Sequence, residues 1–399
     1  MEMPSKAGTL ERKSHLNTQI SAKHIPALDG IRGLAAVGIF ICHYWGGKKS
    51  SYLFIRLTAE VAQFGWTAVS LFFVLSGFLI SGILWDSFDK NNWWRRFYRR
   101  RSLRIFPLYY FALLLFISAN IWLYGHGSQL VSIWPYLIYL QNIYHQLPMT
   151  TPKLPNGIAL SHFWSLAVEE QFYLIWPFLL VWKFGSNTRA RRMCLLLWAL
   201  SFSFRIFVYS MGMRQNWAIG FLAGRAGELA MGAYLALAIR DIRLKAVVFR
   251  NARLVFSASL LAIIAVIFWA KSTAVTTFPM ATVGIAINGV LFASLIALCL
   301  QPGAFASLFS MRWLRWLGKI SYGIYVYHIL LKSLFEWVVF HAFPGLGHNA
   351  HLVVLAVVAA IGTLMIASLS FYAFEAPIMR LKQTSQKIAG QKEVIIAES

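Results

Sequence analysis

Residues 66–85 read WTAVSLFFVLSGFLISGILW, twenty positions without one ionisable side chain. As an α-helix such a run is about 30 Å long, the thickness of a bilayer's hydrocarbon core. The next nineteen, DSFDKNNWWRRFYRRRSLR (86–104), carry seven Lys and Arg. An uncharged run long enough to span a membrane, followed at once by a dense basic loop, is the signature of a membrane helix and its cytoplasmic flank. The composition of the whole chain agrees. Over 399 residues, 58% are hydrophobic and 13% charged, about half the usual charged share of roughly 25% in soluble proteins. A soluble multidomain enzyme, a disordered chain, collagen and a secreted disulfide scaffold are all excluded. Cys42, Cys194 and Cys299 lie inside apolar runs with no metal-type spacing, so neither a disulfide nor a metal site is expected.

Outward from that run, further apolar runs occur near 27–45, 105–124, 164–184, 193–210, 217–239, 254–270, 279–300, 318–341 and 351–374. The reading is therefore an all-α polytopic membrane bundle of about ten transmembrane helices with both termini on one side. Placing that side in the cytoplasm gives the inner segments 27 Lys and Arg and the outer loops six: Lys48, Lys49, Arg56, Lys153, Arg214 and Lys271. Four more (Arg32, Arg205, Arg225, Lys332) fall within spans. This asymmetry sets the orientation by the positive-inside rule and explains most of the net charge of +23 without nucleic acid as a partner. The stretch 130–144, LVSIWPYLIYLQNIY, is short and holds Pro135, so it reads as a re-entrant or interfacial piece. The expected organisation is a cytoplasmic segment 1–26 without a cleavable signal, a membrane domain 27–376 and a cytoplasmic tail 377–399.

Function must come from polar groups that a membrane normally excludes. The first span, LDGIRGLAAVGIFICHYW (28–45), holds Asp29, Arg32 and His43. At about 100° per residue the step from Arg32 to His43 comes within about 20° of three full turns, and Asp29 falls about 40° to the other side. All three share one face, with His43 about 16 Å further along the axis than Arg32. A snorkelling Arg and a satisfied core His are the bland alternative. The loop 93–110, WWRRFYRRRSLRIFPLYY, interleaves six arginines with aromatics, which suits an interface beside anionic lipid as well as a topology signal. Arg101 and Arg104 stand one turn apart at the mouth of the third span, where a guanidinium pair suits a phosphate-bearing ligand. In HFWSLAVEEQFYLIWP (162–177) two adjacent carboxylates enter an apolar helix. Glu169 reads equally as an acid–base or hydroxyl-binding group and as an Arg-paired structural one, with Arg32 or Arg205 as partner; Glu170 leans to structure. Arg225 and Glu228 are spaced to pair with each other. His328, Tyr322 and Tyr325 are spaced to line a cavity, and Glu375 to hold a helix end.

These segments resemble, in order, the hallmarks of the acyltransferase-3 family of integral membrane O-acyltransferases: LDGIRGLAAVGIFICHYW, FFVLSGFLISGIL, RRRSLRIFPLYY, HFWSLAVEEQFYLIWP, GRAGELAMGAYLA, WLGKISYGIYVYHI and FYAFEAPI. The resemblance covers roughly residues 25–380. It implies a ten-helix bundle that moves an acyl group, most often acetyl from acetyl-CoA, to a hydroxyl of an extracytoplasmic carbohydrate such as a surface polysaccharide or lipid-linked sugar. The family's Arg–His pair falls on Arg32 and His43, its Arg-x-x-Arg on Arg101 and Arg104, and its motif Glu on Glu169. Some members carry a C-terminal SGNH-type hydrolase domain; no fused SGNH domain is expected here, so this chain should act alone. Joined to the residue reading, acetyl-CoA enters from the cytoplasm onto Arg101 and Arg104, and His43 acts at the thioester as base or acyl carrier. Arg32 orients the thioester and Glu169 binds the sugar. The expected setting is a bacterial inner membrane, with membrane lipids and a carbohydrate or glycolipid acceptor as partners. The alternative is a transporter or flippase for a glycolipid or polysaccharide precursor; a membrane glycosyltransferase ranks last.

Overall fold

The computed structural model describes residues 24–124, 133–144, 160–182 and 186–380, and every regular element among them is helical. The segments 1–26 and 377–399 of the sequence reading lie outside the described residues except for 24–26 and 377–380.

The first helix, α1, runs Pro26–Trp45. Pro26 opens it because its fixed φ suits the first helical turn and its missing N–H would have no partner there. A shorter amphipathic helix not anticipated from the sequence, α2 (Leu53–Gln63), precedes α3 (Thr67–Trp85), the uncharged run that opened the reading. The basic loop is not a loop. From Trp93 on it is the first third or so of a single helix, α4, over Trp93–Tyr124, so Arg101 and Arg104 sit on helical spacing continuous with the apolar run. The stretch read as re-entrant or interfacial holds two four-residue helices, α5 (Trp134–Leu137) and α6 (Gln141–Tyr144), each about 6 Å long and far too short to cross. Then come α7 (Trp164–Trp182), α8 (Asn187–Ser210), α9 (Asn216–Gly220), α10 (Leu222–Ala238) and α11 (Ile242–Ala270). A π-helical turn at Met280–Gly284 leads into α12 (Ile285–Cys299), followed by α13 (Ala304–Phe309), α14 (Arg312–Leu330), α15 (Lys332–Ala342) and α16 (His348–Ser370). A second π-helical turn, Phe371–Glu375, interrupts the helix, which runs on to Arg380.

Among the described residues seven helices are long and apolar enough to cross a membrane, eight if a bent pair is one span. The protein is a multi-pass membrane protein. The bent pair falls on the span read at 318–341 and adds a bend to it: α14 and α15 meet at 63° about Leu331. No Pro or Gly marks the break; Lys332 and Ser333 follow it directly within the apolar run.

The described chain forms two compact units. One gathers residues up to Ile31, Val69–Asp86 and Phe172–Arg315. Within it α3 and α10 approach backbone to backbone: a Cβ at Gly77 would lie 1.9 Å from the Leu229 carbonyl oxygen, and one at Gly232 1.9 Å from that of Val74. Small residues permit this contact, which replaces the hydrophobic drive that lipid cannot supply. Side chains reinforce it. Trp176 donates to Ser81 Oγ at 2.8 Å, Ser76 and Tyr173 share a 2.5 Å bond, and Arg240 clamps both oxygens of Asp86 at 2.7 and 2.5 Å. The expected pair forms, Arg225 Nε lying 3.0 Å from Glu228 Oε2 with each residue 1% exposed. Arg205, equally buried, donates to the Gly224 carbonyl at 2.6 Å and Ser201 Oγ at 2.8 Å. At the start of α11 the Asp241 side chain accepts from the backbone N–H of Arg243 and Leu244, a helix cap, and pairs with Arg191 at 3.0 Å.

The other unit gathers Arg32–Ala68, Ser87–Gln171 and the chain from Trp316 onward. Its apolar centre includes Tyr44, Phe335, Val339, Leu355 and Ala359, drawn from α1, α15 and α16.

Candidate active site

Arg32, His43, Arg101, Arg104 and Glu169, scattered over 138 positions of sequence, all belong to the second unit. Arg32 and His43 are both on α1, with Arg32 partly buried and His43 exposed. Asp29, the third member of the stripe, bonds His24 Nε2 at 2.6 Å.

The ring of His43 meets the Ile39 carbonyl of its own helix and is also held from outside it. Its Nδ1 lies 3.0 Å from Nε2 of His328 on α14. His328 is fixed in turn by its own helix, its Nδ1 facing the carbonyls of Tyr325 at 2.7 Å and Ile324 at 3.1 Å. α14 ends two residues later, so the His328 carbonyl sits where the helical ladder runs out. Tyr44, the neighbour of His43 on α1, donates its hydroxyl to that carbonyl at 2.5 Å. Two adjacent residues of α1 thus grip one residue of α14 by side chain and backbone. His162, from the 3₁₀ turn before α7, stacks edge-on against His328, so the rings of His162, His328 and His43 follow one another at 5.1 Å per step. His328 is 1% and His162 4% exposed, which leaves His43 as the member of the row with an open side. A hydroxyl relay braces the row: Ser165 and Tyr325 share a 2.5 Å bond, and Tyr325 donates to the His162 carbonyl.

The carboxylates and arginines form a second group in the same unit. Arg101 acts electrostatically on Glu170, and Arg104 on Glu375 in the π-helical turn. Glu375 accepts from Ser370 at 3.2 Å, and Ser370 bonds Tyr327 at 3.2 Å. Tyr322 lies within reach of the charges of Glu375, Glu170 and Glu169 and donates to the Ile105 carbonyl at 2.8 Å. Glu170 Oε1 is buried with no hydrogen-bond partner. A buried oxygen left unbonded costs free energy, and the waiting partner at such a place is a hydroxyl or a proton. Sequence reasoning leaned to a structural role for Glu170; in the structure its Oε1 accepts no hydrogen bond from the protein. Arg95 and Arg96 differ from the pair further on. Arg95 lies over the Trp94 ring at 5.0 Å and Arg96 donates to the Asn91 carbonyl, both local contacts.

Beyond His43, Lys332 Nζ stands 6.0 Å from the Tyr44 ring. Lys48, in the turn after α1, is held below its ordinary pKa by partial burial and by the charge of Lys332, which Glu336 opposes. Among the described residues no set of three or more His, Cys, Asp or Glu is placed to hold a metal ion.

Sequence reasoning missed His162 and gave His328 only a cavity-lining part. Each stands inside a quoted motif, but nothing in linear spacing joins 43, 162 and 328. A row of histidines backs one accessible imidazole, with arginines and carboxylates in the same helical unit, an arrangement able to take up and pass on a proton. The family comparison gives the class: the model described as an acyltransferase domain matches residues 25–372, and this chain belongs to that acyltransferase-3 family. It is 28% identical over 381 residues to the peptidoglycan O-acetyltransferase OatA of Listeria monocytogenes, covering 91% of this chain and 57% of that one. It is 30% identical over 372 residues to the putative peptidoglycan O-acetyltransferase YrhL of Bacillus subtilis, covering 89% and 55%. A putative O-acetyltransferase of Staphylococcus aureus, SACOL0978, is 27% identical over 332 residues, covering 78% and 51%. The chain spans little more than half the length of these curated relatives. No solved structure matches it.

Proposed function

We propose that the protein is a membrane O-acetyltransferase that moves acetyl from cytoplasmic acetyl-CoA to a hydroxyl of an extracytoplasmic carbohydrate, in a bacterial inner membrane. The observation that carries this reading is the accessible imidazole of His43, set near the far end of a largely apolar helix that also carries Asp29 and Arg32, in a chain from an acyltransferase family. Two relatives are named for peptidoglycan, which puts a cell-wall glycan first among the acceptors to test.

In the proposed reaction the phosphates of the donor bind Arg101 and Arg104, which exchange part of their attraction to Glu170 and Glu375 for charge-assisted bonds. Arg32 polarises the thioester carbonyl. His43 takes the proton of the acceptor hydroxyl as its oxygen attacks the carbonyl carbon; the C–S bond then breaks and the CoA thiolate takes the proton back from His43. Glu169 receives the sugar, with the open oxygen of Glu170 beside it. The purified chain in detergent is expected to bind acetyl-CoA, less tightly as salt rises because phosphate contacts are screened, and to release free CoA in step with acetylated glycan. Undetectable donor binding, together with glycolipid movement in liposomes that needs no donor, would replace this reading with a flippase.

A further inference from the structure

We propose that His328 is a positioning residue: it fixes the tautomer of His43 so that Nε2, and not Nδ1, is the basic nitrogen offered to the substrate. The inference rests on the reading of His43 as base and adds to it the atom that accepts the proton and the residue that selects it.

The argument is one of donors and acceptors. A carbonyl oxygen only accepts, and His328 Nδ1 lies 2.7 and 3.1 Å from two carbonyls, so that nitrogen carries the hydrogen. Neutral imidazole has one N–H, which leaves a lone pair on His328 Nε2. That lone pair faces His43 Nδ1 at 3.0 Å. If His43 carried its hydrogen on Nε2, two lone pairs would confront each other at hydrogen-bond distance. His43 must therefore carry it on Nδ1 and donate it to His328. Its Nε2 is left bare.

The device uses the helix end as its anchor. Tyr44 ties the His328 carbonyl to α1 at 2.5 Å, so the two rings cannot slide past each other without breaking a second bond. His328 is sealed at 1% exposure and does not meet substrate, which separates positioning from catalysis. When His43 takes a proton on Nε2 the Nδ1–H bond to His328 strengthens, because the donor is then charged. The positioning residue thereby favours the protonated state that forms during transfer.

The test uses the full chain in detergent with histidine labelled in ¹⁵N, and the variants His328→Leu, His328→Asn, His328→Gln and His43→Ala. In the wild type the His43 resonances, assigned by their loss in His43→Ala, are expected to show a protonated Nδ1 and a bare Nε2. In His328→Leu that single tautomer is expected to give way to a mixture. Turnover of acetyl-CoA to acetylated glycan should fall by up to about 10⁴-fold in His328→Leu, the scale seen when the partner that sets the tautomer of a catalytic histidine is lost, with KM for the donor and the thermal midpoint little changed. Glutamine places its Oε1 where Nε2 stood and can accept from His43, so it should recover activity to within about tenfold of wild type. Asparagine is too short to reach and should behave as leucine does. A bare Nδ1 in the wild type overturns the proposal, as does full turnover by His328→Leu, or rescue by asparagine but not glutamine, which would mark a helix-end role. An active His43→Ala variant removes the reading of His43 as base and the proposal with it; an inactive one beside an active His328→Leu removes the proposal alone.

Discussion

Nδ1 of His43 and Nε2 of His328 stand 3.0 Å apart although 285 residues of chain separate them. The contact makes His43 part of a device and not an isolated polar residue tolerated in an apolar helix. It supplies a held ring and one open nitrogen, which are the requirements of a general base.

His43→Ala is expected to abolish acetyl transfer while acetyl-CoA binding persists, because Arg101 and Arg104 lie on a different helix, α4. His43→Gln keeps much of the volume and can still meet His328, yet it takes up no proton near neutral pH. It should be nearly as inactive as alanine. Expression, donor binding and acetylated product measured on the same samples decide the matter. Substantial turnover by the glutamine variant would leave Glu169 and Glu170 as the remaining candidate bases.

The two arginines of α4 are expected to act apart from the basic residues before them. Arg101→Ala and Arg104→Ala should each weaken donor binding by about 1–3 kcal/mol, the range for a charge-assisted contact. Arg95→Ala and Arg96→Ala, which lose only the local contacts to Trp94 and Asn91, should change it by less than about 0.5 kcal/mol. Titration of acetyl-CoA by calorimetry at two salt concentrations checks both; equal losses at all four positions would mean the segment is merely basic.

How much of this was legible in the sequence depends on the range of the signal. Helical periodicity is local, so the shared helix of Arg32 and His43 and the one-turn spacing of Arg101 and Arg104 could be read directly. The pairing of Arg225 with Glu228 was readable for the same reason, both residues lying on α10. Periodicity says nothing about which helix faces which, so the His162–His328–His43 row and the reach of Arg104 to Glu375 left no trace in spacing. Hydropathy likewise registers how long an apolar run is, not whether it bends. The break at Leu331 and the separate helix at Leu53–Gln63 were invisible to it.

The cap of α11 should carry an acid-side signature. Partial burial alone would raise the Asp241 carboxyl, but the backbone N–H of Leu244, the Arg191 guanidinium and the N–H of Arg243 outweigh it and hold it below the ordinary value of 3.8. A carboxylate lowered by folding contributes stability above its unfolded pKa and loses it as pH falls through the folded one. Asp241→Ala should cost about 1 kcal/mol near neutral pH, the usual worth of a cap. Asp241→Asn keeps the cap oxygen and should retain most of the stability, without the acid-side decline. Thermal midpoints of the three proteins between about pH 3 and 7 test this; parallel curves for Asp and Asn would deny the carboxylate its part.

The buried charges of the other unit should respond asymmetrically. Glu228 is an anion among two guanidinium groups, paired with Arg225 at 3.0 Å and within the electrostatic reach of Arg205. Breaking a buried pair by removing one partner costs about 3–5 kcal/mol, since the other charge stays buried without compensation. Arg225→Met leaves Arg205 and Glu228 to balance each other and should fall at the low end of that range. Glu228→Gln leaves two cations with no anion between them and should fall at the high end or fail to fold. The double variant Arg225→Met, Glu228→Leu removes the pair together and should be milder than Glu228→Gln, because only Arg205 remains, with its bonds to the Gly224 carbonyl and Ser201 Oγ intact. Denaturation in detergent, with folded yield for any variant too weak to titrate, ranks the three. If Arg225→Met proves the more damaging single change, the compensation runs through Ser70, which accepts from Arg225 at 3.3 Å, and not through the balance of charge.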